Sequence, residues 1–460
     1  MLHKKTIFIL LASIIFLVLI IILLVKVFSS KNKLPYLITL PLQSASSFSD
    51  ITSLLKNNIK TTITISDKKQ ELDLFLVPED YTFFITQQDI FFNANDNSKI
   101  NKYSKNFYDY EYSSTVKILT KREKSAFTHY SYGRKAQDNF ILCEKNLCEE
   151  NSVNLNQFKF MLVEDPYDKI SGGIGLSFKD YYQNDAANLF DELYKGNYIK
   201  NKIWYINYDK DDKKNLIIGK MPYQVDTKFN EDDFTFFEVK DNIWELEMIN
   251  IITGDDNEEN YIKEKKLFFS QDSSLIYGPY EYYQKIKSKF FNKNKCSEHM
   301  FEYKLTEYLY LTCNSDISLS DFPPLTFDIN NNFKFELTKD DLFVKDNQNI
   351  LFLFITNKEE RYSGKWYMGE PFLKKYIPVY NQGESKIGFY KVIINYKSSY
   401  RVIGILGFIF FIICCIILSY LILYLLRKRK NKKIRQAALE MKVEEMNRNL
   451  VEKQSENDKA

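Results

Sequence analysis

The sequence predicts an all-β domain between two membrane-spanning helices, and two patterns carry that prediction. Short segments of alternating or continuous apolar residues recur through the middle of the chain, at residues 61–66, 71–77, 243–252 and 325–329 among others. An uncharged apolar run lies near each end of the 460-residue chain. The length between these runs is sufficient for one large domain with two lobes.

Helical periodicity is rare in the same region. Residues 179–194 and 280–291 are the two segments for which the spacing of apolar residues predicts a helix. Many strands with few helices are typical of the all-β class.

The first apolar run, residues 6–25, follows Lys4 and Lys5. It is longer than the core of a usual signal peptide, and no cleavage site of the Ala-x-Ala kind follows it. We therefore favour an uncleaved signal anchor within residues 1–30 over a cleaved signal peptide. In both interpretations, residues 30–401 are exported across the membrane.

The second apolar run, residues 402–426, contains no charge over 25 residues and is long enough to span a bilayer. The basic segment 427–433 follows it directly, which predicts a cytosolic carboxyl terminus. We assign a transmembrane helix to residues 401–427 and a basic, then helical, cytosolic tail to residues 428–460. The chain is thus expected to be an integral membrane protein of the secretory pathway or cell surface, with a luminal or extracellular ectodomain.

The ectodomain has a mildly acidic balance, with 49 Lys and Arg against 54 Asp and Glu over residues 30–401. This balance does not favour a nucleic-acid partner. The chain has three His and no C-x-x-C or HExxH motif, so we expect no metal site and no cofactor. Four cysteines lie outside the apolar runs and form two sequence-local pairs, and an exported domain favours disulfides. These are Cys143, Cys148, Cys296 and Cys313.

Residues 366–390, WYMGEPFLKKYIPVYNQGESKIGFY, resemble the last characteristic block of the pepsin-like aspartic proteases (peptidase family A1). Glu370 stands where that block has Asp. Weaker landmarks occur in the family's order at residues 170–178, 215–221 and 311–330. The resemblance implies a bilobal β fold with a cleft between the lobes. Its amino-terminal lobe would occupy residues 31–195 and its carboxy-terminal lobe residues 196–400.

The resemblance also implies details outside the catalytic loops. A family disulfide would correspond to Cys296–Cys313, whereas a Cys143–Cys148 bridge would close a loop that the common family pattern lacks. The flap tyrosine of the family would correspond to Tyr132.

Each lobe in the family supplies one Asp-Thr/Ser-Gly loop, and the two carboxylates share a proton and activate a water. Both loops align here without a gap, at residues 70–85 and 267–279. The Asp-Thr-Gly triplets become Val77-Pro78-Glu79 and Ser270-Gln271-Asp272. Neither Val nor Ser is a general base near neutral pH, so the resemblance implies a degenerate dyad and no expected catalytic residue.

Two carboxylates close to the dyad positions are fallback candidates. Asp80 lies three residues after Val77, and Asp272 lies two residues after Ser270. Aligning either with a family aspartate would need an insertion or deletion, so we expect both to be solvent-facing loop carboxylates. A serine triad at Ser270 is disfavoured because its loop contains no His or Lys.

The resulting expectation is a membrane-anchored pepsin-like protein without proteolytic activity. Its cleft would hold an extended peptide or protein ligand, or serve a structural role. The alternative is a divergent, active, membrane-bound aspartic endopeptidase. The altered triplets and the short space for a prosegment argue against it. A third interpretation, an unrelated all-β membrane receptor, conflicts with the specific match at 366–390.

Overall fold

The computed structural model describes most of the chain between the apolar runs and part of the tail. Residues 6–25 and 402–418, which carry the predicted membrane spans, lie outside the described residues. Among the helices that are described, none has the length and apolar character needed to cross a membrane. The described residues are 36–44, 51–87, 91–92, 99–100, 107–124, 132–142, 153–163, 170–178, 187–209, 213–239, 243–253, 265–293, 295–330, 333–346, 349–359, 364–390, 419, 422–444 and 446.

Strands dominate the first half of the chain, in agreement with the predicted all-β class. They are β1 (Ile38–Leu42), β2 (Lys60–Ile65), β3 (Gln70–Val77), β4 (Phe83–Thr86), β5 (Phe91–Phe92), β6 (Lys99–Ile100), β7 (Lys117–Ile118), β8 (Glu123–Lys124), β9 (Tyr132–Leu142), β10 (Val153–Val163), β11 (Gly172–Gly175), β12 (Ile203–Tyr208) and β13 (Lys214–Ile218).

The second half continues in the same way. Its strands are β14 (Phe234–Glu238), β15 (Glu245–Met248), β16 (Asn250–Thr253), β17 (Lys265–Phe269), β18 (Ile276–Tyr277), β19 (Cys296–Tyr303), β20 (Thr306–Asn314), β21 (Leu325–Asn330), β22 (Phe333–Leu337), β23 (Phe343–Asp346), β24 (Asn349–Phe352), β25 (Phe354–Asn357), β26 (Lys365–Met368), β27 (Val379–Asn381) and β28 (Lys386–Tyr390).

Helices are short and lie between the strands. They are α1 (Ile51–Leu55), α2 (Leu189–Lys195), α3 (Pro222–Val225), α4 (Tyr280–Lys289), α5 (Lys339–Leu342) and α6 (Glu370–Tyr376), with 3-10 turns at Glu231–Asp233 and Phe291–Lys293. The helix predicted at residues 280–291 is confirmed as α4. Of the helix predicted at 179–194, residues 179–186 lie outside the described part of the chain, and α2 begins after Asn188, whose side chain caps it.

Two sheets contain the same three-stranded unit. In the first sheet, ordered β10-β4-β11-β3-β2-β9-β7, β11 lies between β3, to which it is parallel, and β4, to which it is antiparallel. In the second, ordered β15-β17-β26-β18-β25-β20-β24-β23, β26 lies in the same way between β17 and β18. Strands β3 and β17 therefore end at equivalent places, at Val77 and Phe269.

A third sheet, ordered β1-β13-β12-β27-β28-β14, is antiparallel throughout. Its core is aromatic: Trp204 is fully buried and stacks on Tyr380, with ring centroids 4.0 Å apart. Contacts of this kind contribute beyond the area they bury, by about 0.5–1.5 kcal/mol per pair.

The predicted strands are confirmed in part. Residues 61–66 and 71–77 form most of the antiparallel pair β2 and β3, whose inward-facing residues alternate with half-buried ones. The strand character predicted at 243–252 is confirmed, but the segment is divided between two strands, β15 and β16. The chain leaves one sheet after β15 and enters a three-stranded sheet as β16, and Ile249 between them donates its N–H to the carbonyl of Asp328 at 2.8 Å.

The tail forms a separate unit that begins at residue 394. Residues 422–444 are helical and exposed, so the helix predicted after residue 433 is confirmed over 434–444.

Candidate functional site

An open cavity of about 460 Å³ lies where the two aligned loops meet. Five parts of the chain contribute to its wall: the end of β3 with the loop after it, the segment just before the start of β11, the loop after β17, the segment of α1 with the residues that follow it, and the tip of the β19–β20 hairpin. The lining residues are Thr52, Ser53, Lys56, Asn58, Phe75, Leu76, Val77, Pro78, Glu79, Ile170, Asp272, Tyr303 and Lys304.

The two loops form matching turns. In the first, the N–H of Asp80 donates to the carbonyl of Val77 at 3.3 Å. In the second, the N–H of Ser273 donates to the carbonyl of Ser270, also at 3.3 Å. Each is a four-residue turn closed by its first and last residues. Val77 and Ser270 therefore occupy the first position of their turns, and Glu79 and Asp272 occupy the third.

The first turn position carries no carboxylate in either loop. Val77 is buried and packs in a small apolar cluster with Phe84, Met161 and Val163. Ser270 donates its hydroxyl to Oδ1 of Asp272 at 3.1 Å. An aliphatic side chain and a neutral hydroxyl cannot together hold and release a shared proton as paired carboxylates do.

Asp80, expected to face solvent, is instead buried, with 6% of its surface exposed. Its Oδ1 accepts from the N–H of Thr82 at 3.0 Å, and its carbonyl accepts from the N–H of Ser177 at 2.8 Å. The side chain thus caps the backbone of its own loop, as Asp commonly does in turns. Asp80 is not one of the residues that line the cavity.

Asp272, the other fallback candidate, is half-buried and lines the cavity. Burial first, and then the negative charge of Glu79, raise the pKa of its carboxyl to about 6, while Lys56 and the Ser270 hydroxyl oppose the change. Two like charges influence each other in this way only when they are near each other. Asp272 is thus only partly exposed, and it faces the open cavity. Asp272 and Glu79 both line the cavity, and the charge of Glu79 acts on the carboxyl of Asp272.

The second loop is held from two sides. On one side, the N–H of Asn57 donates to the carbonyl of Asp272 at 2.5 Å, and the N–H of Ser274 donates to the carbonyl of Leu54 at 2.7 Å. On the other, Glu370 accepts from the Ser274 hydroxyl at 3.0 Å and from Lys214 Nζ at 2.8 Å. Hydrogen bonds to a charged acceptor are stronger than neutral ones, so Glu370 fixes the loop firmly.

Two glycines lie directly against the backbone of the turns. A side chain on Gly175 would meet the backbone of Tyr81 and Thr82, and one on Gly369 would meet the backbone carbonyls of Ser273 and Leu275. Glycine is required at both positions because the neighbouring atoms are backbone and cannot move aside cheaply.

The hairpin β19–β20 brings a further part of the chain to the cavity. The disulfide Cys296–Cys313, implied by the resemblance, is formed at its open end. At its other end Tyr303 pairs with Thr306 across a two-residue turn. Tyr303 and Lys304 line the cavity, and sequence reasoning did not identify them.

The remaining predicted positions are placed only in part. Tyr132 begins β9 and pairs with Lys124 of β8, while residues 125–131 between them lie outside the described residues. The flap assignment of Tyr132 therefore stays a prediction. Cys143 and Cys148 also lie outside the described residues.

The geometry agrees with the comparison with known families. The model of the family described as eukaryotic aspartyl protease matches residues 61–392, which is more than two thirds of the chain. No curated protein matches the sequence at a significant level.

Proposed function

This chain belongs to the eukaryotic aspartyl protease family, and from that membership we propose that it is a membrane-anchored, pepsin-like protein that binds an extended peptide or protein segment in its cleft. In this proposal the family's aspartate dyad takes no part, because the aligned positions are Val77 and Ser270. Hydrolysis by that dyad is therefore not expected.

The observation that carries the proposal is the cleft cavity. It is open, has a volume of about 460 Å³, and mixes apolar walls with hydroxyl, carboxylate and ammonium groups. Ligand sites of proteins combine apolar area with a few placed polar groups in this way. The loops around it are held by Asn57 and Glu370, so the cavity does not depend on a catalytic pair for its shape.

Membrane anchoring rests on the sequence. The uncharged run at residues 402–426 and the basic segment after it support a spanning helix with a cytosolic tail. Residues 6–25 support a second anchor or an export signal. The ectodomain would then meet partners on the luminal or extracellular side of one membrane.

The test uses the full-length protein in detergent or nanodiscs and a displayed library of random hexapeptides at pH 7. We expect saturable binding of selected peptides, and recovery of those peptides intact. A Ser53→Trp variant, which places a large ring in the cavity wall, should lose binding. The matched control is Tyr112→Trp, because Tyr112 is exposed and is not among the cavity residues. The absence of any selected peptide would overturn the proposal.

One observation favours the alternative of a divergent active endopeptidase. Glu79 and Asp272 are coupled carboxylates in one cavity, and the pKa of Asp272, about 6, would let the pair hold a proton in mildly acidic solution. Incubating the full-length protein with the peptide library from about pH 3 to 7 separates the two functions. Cleavage that a pepstatin-type inhibitor blocks, and that Asp272→Asn abolishes, would establish the alternative.

A further inference from the structure

The tip of the β19–β20 hairpin has features that folding does not require. Its two turn residues, Lys304 and Leu305, both have positive φ, at 49° and 66°. Two-residue hairpin turns of this type are usually built from Asn and Gly, because a bulky side chain is strained there. Leu305 is also 92% exposed. A strained and fully exposed leucine contributes nothing to the core.

The rest of the hairpin is built to hold that tip in place. Eight consecutive residue pairs join its strands, from Cys296 with Cys313 to Tyr303 with Thr306. The disulfide closes the end opposite the tip. Strain at a few backbone positions persists only where the surrounding structure imposes it, and such positions concentrate at ligand sites.

One face of the hairpin packs on the body of the domain. Phe301 stacks on Tyr308, with ring centroids 5.4 Å apart, and both belong to an apolar cluster that includes Leu54 of α1 and Ile355 of β25. The hairpin therefore rests on the same helix that forms one wall of the cavity. On the opposite face, Leu309 and Leu311 of β20 are buried in the main core, whereas Met300, which pairs with Leu309, is 57% exposed.

The tip reaches the cavity. Tyr303 and Lys304 line it together with Val77 and Glu79 of the first loop and Asp272 of the second. Lys304 Nζ lies 5.8 Å from the centre of the Tyr303 ring, a cation–π distance that orders the two side chains.

We propose that this hairpin is the ligand clamp of the cleft, and that Tyr303 and Leu305 select an extended peptide by contact with one of its apolar side chains. The inference rests on the proposed peptide-binding function and adds the residues that choose the peptide. The Tyr303 ring lies in the wall of a cavity whose other walls carry charges of both signs, and Leu305 is an exposed apolar side chain two residues further along the same tip.

The experiment measures the affinity of the full-length protein for the tightest hexapeptide selected on it, labelled with fluorescein. Tyr303→Ala is expected to weaken binding about tenfold or more, as truncation of a central aromatic contact does. Leu305→Gly is expected to weaken binding while raising thermal stability, because glycine relieves the strained φ. The control is Met300→Ala, because Met300 is exposed, points away from the face that carries Phe301 and Tyr303, and is not among the cavity residues, so this variant should bind like the unchanged protein.

The opposite effects on affinity and stability separate a ligand role from a structural one. If Leu305→Gly and Tyr303→Ala bind the peptide as tightly as the unchanged protein, the clamp is refuted and peptide binding stands. The clamp is also refuted if Met300→Ala loses as much affinity for the peptide as Tyr303→Ala and Leu305→Gly do. If the unchanged protein selects no peptide at all, peptide binding itself fails, and the clamp fails with it.

Discussion

Replacing Asp272 with Asn is expected to stabilise the protein at neutral pH and to leave its stability unchanged in acid. The pKa of this carboxyl rises from 3.8 to about 6 on folding, mainly through burial and then through the charge of Glu79. A carboxyl with a raised folded pKa binds its proton more tightly in the native state. The stability it contributes is therefore greatest below pH 3.8 and is lost as the pH rises to about 6.

The magnitude follows from the size of that shift. Each pKa unit corresponds to about 1.4 kcal/mol, so ionised Asp272 destabilises the protein by at most about 3 kcal/mol, and contact with solvent in the open cavity lowers this figure. Asn keeps the acceptor for the Ser270 hydroxyl and carries no charge, so the variant is not destabilised by a buried negative charge at neutral pH.

The assay is thermal or urea unfolding of the full-length protein and of Asp272→Asn at pH 4 and pH 7.5. We expect the variant to be more stable at pH 7.5 only. The control is Asp316→Asn, whose carboxyl is exposed in a loop and makes one ion pair at 4.0 Å. A stability difference for Asp272→Asn that is the same at both pH values, or a loss of stability at pH 7.5, would refute the coupling of Asp272 to burial and to Glu79.

Three further predictions concern the groups that hold the cleft. Replacing Cys296 and Cys313 by Ser should lower the free energy of unfolding by about 3 kcal/mol, because the disulfide closes a loop of 17 residues; unchanged stability in urea would contradict this. Lys214→Met should lower the free energy of unfolding by about 3–5 kcal/mol because Glu370 loses its buried partner. Adding Glu370→Gln to that variant should recover part of the lost stability, which a double-mutant cycle measures. Gly369→Ala should prevent stable folding because its Cβ would meet the backbone of the second loop, and a melting temperature within a few degrees of the unchanged protein would count against that contact.

Local patterns in the sequence predict strands well and sheet membership poorly. The alternation at 61–66 and 71–77 is a property of neighbouring residues, and both became strands. The segment 243–252 has an equally clear apolar pattern but belongs to two sheets. The change of sheet at Ile249 depends on a hydrogen bond to Asp328, which lies far away in the sequence. No local pattern contains that information.

Some residues of the candidate site could be predicted from the sequence and others could not. The gapless loop alignment placed Glu79 and Asp272 at the same, third, position of the two triplets, so their pairing in the cavity could have been inferred from the sequence. Asp80 is buried rather than solvent-facing because its side chain caps its own loop, and distance along the chain does not reveal which side chain does so. The position of Tyr303 at the cavity could not be predicted from the sequence, since it depends on where a hairpin packs.

The shape of the two turns is maintained by groups that take no part in family catalysis, and this explains how a cleft can persist with Val77 and Ser270 at the aligned positions. Backbone hydrogen bonds close each turn, and Gly175 and Gly369 lie directly against them. Glu370, which pairs with Lys214, holds the second loop by accepting from the Ser274 hydroxyl and by donating its own N–H to the carbonyl of Ser273. None of these contacts needs a carboxylate at the first turn position. Selection on such contacts would therefore preserve a peptide-binding groove whether or not the chemistry inside it changed.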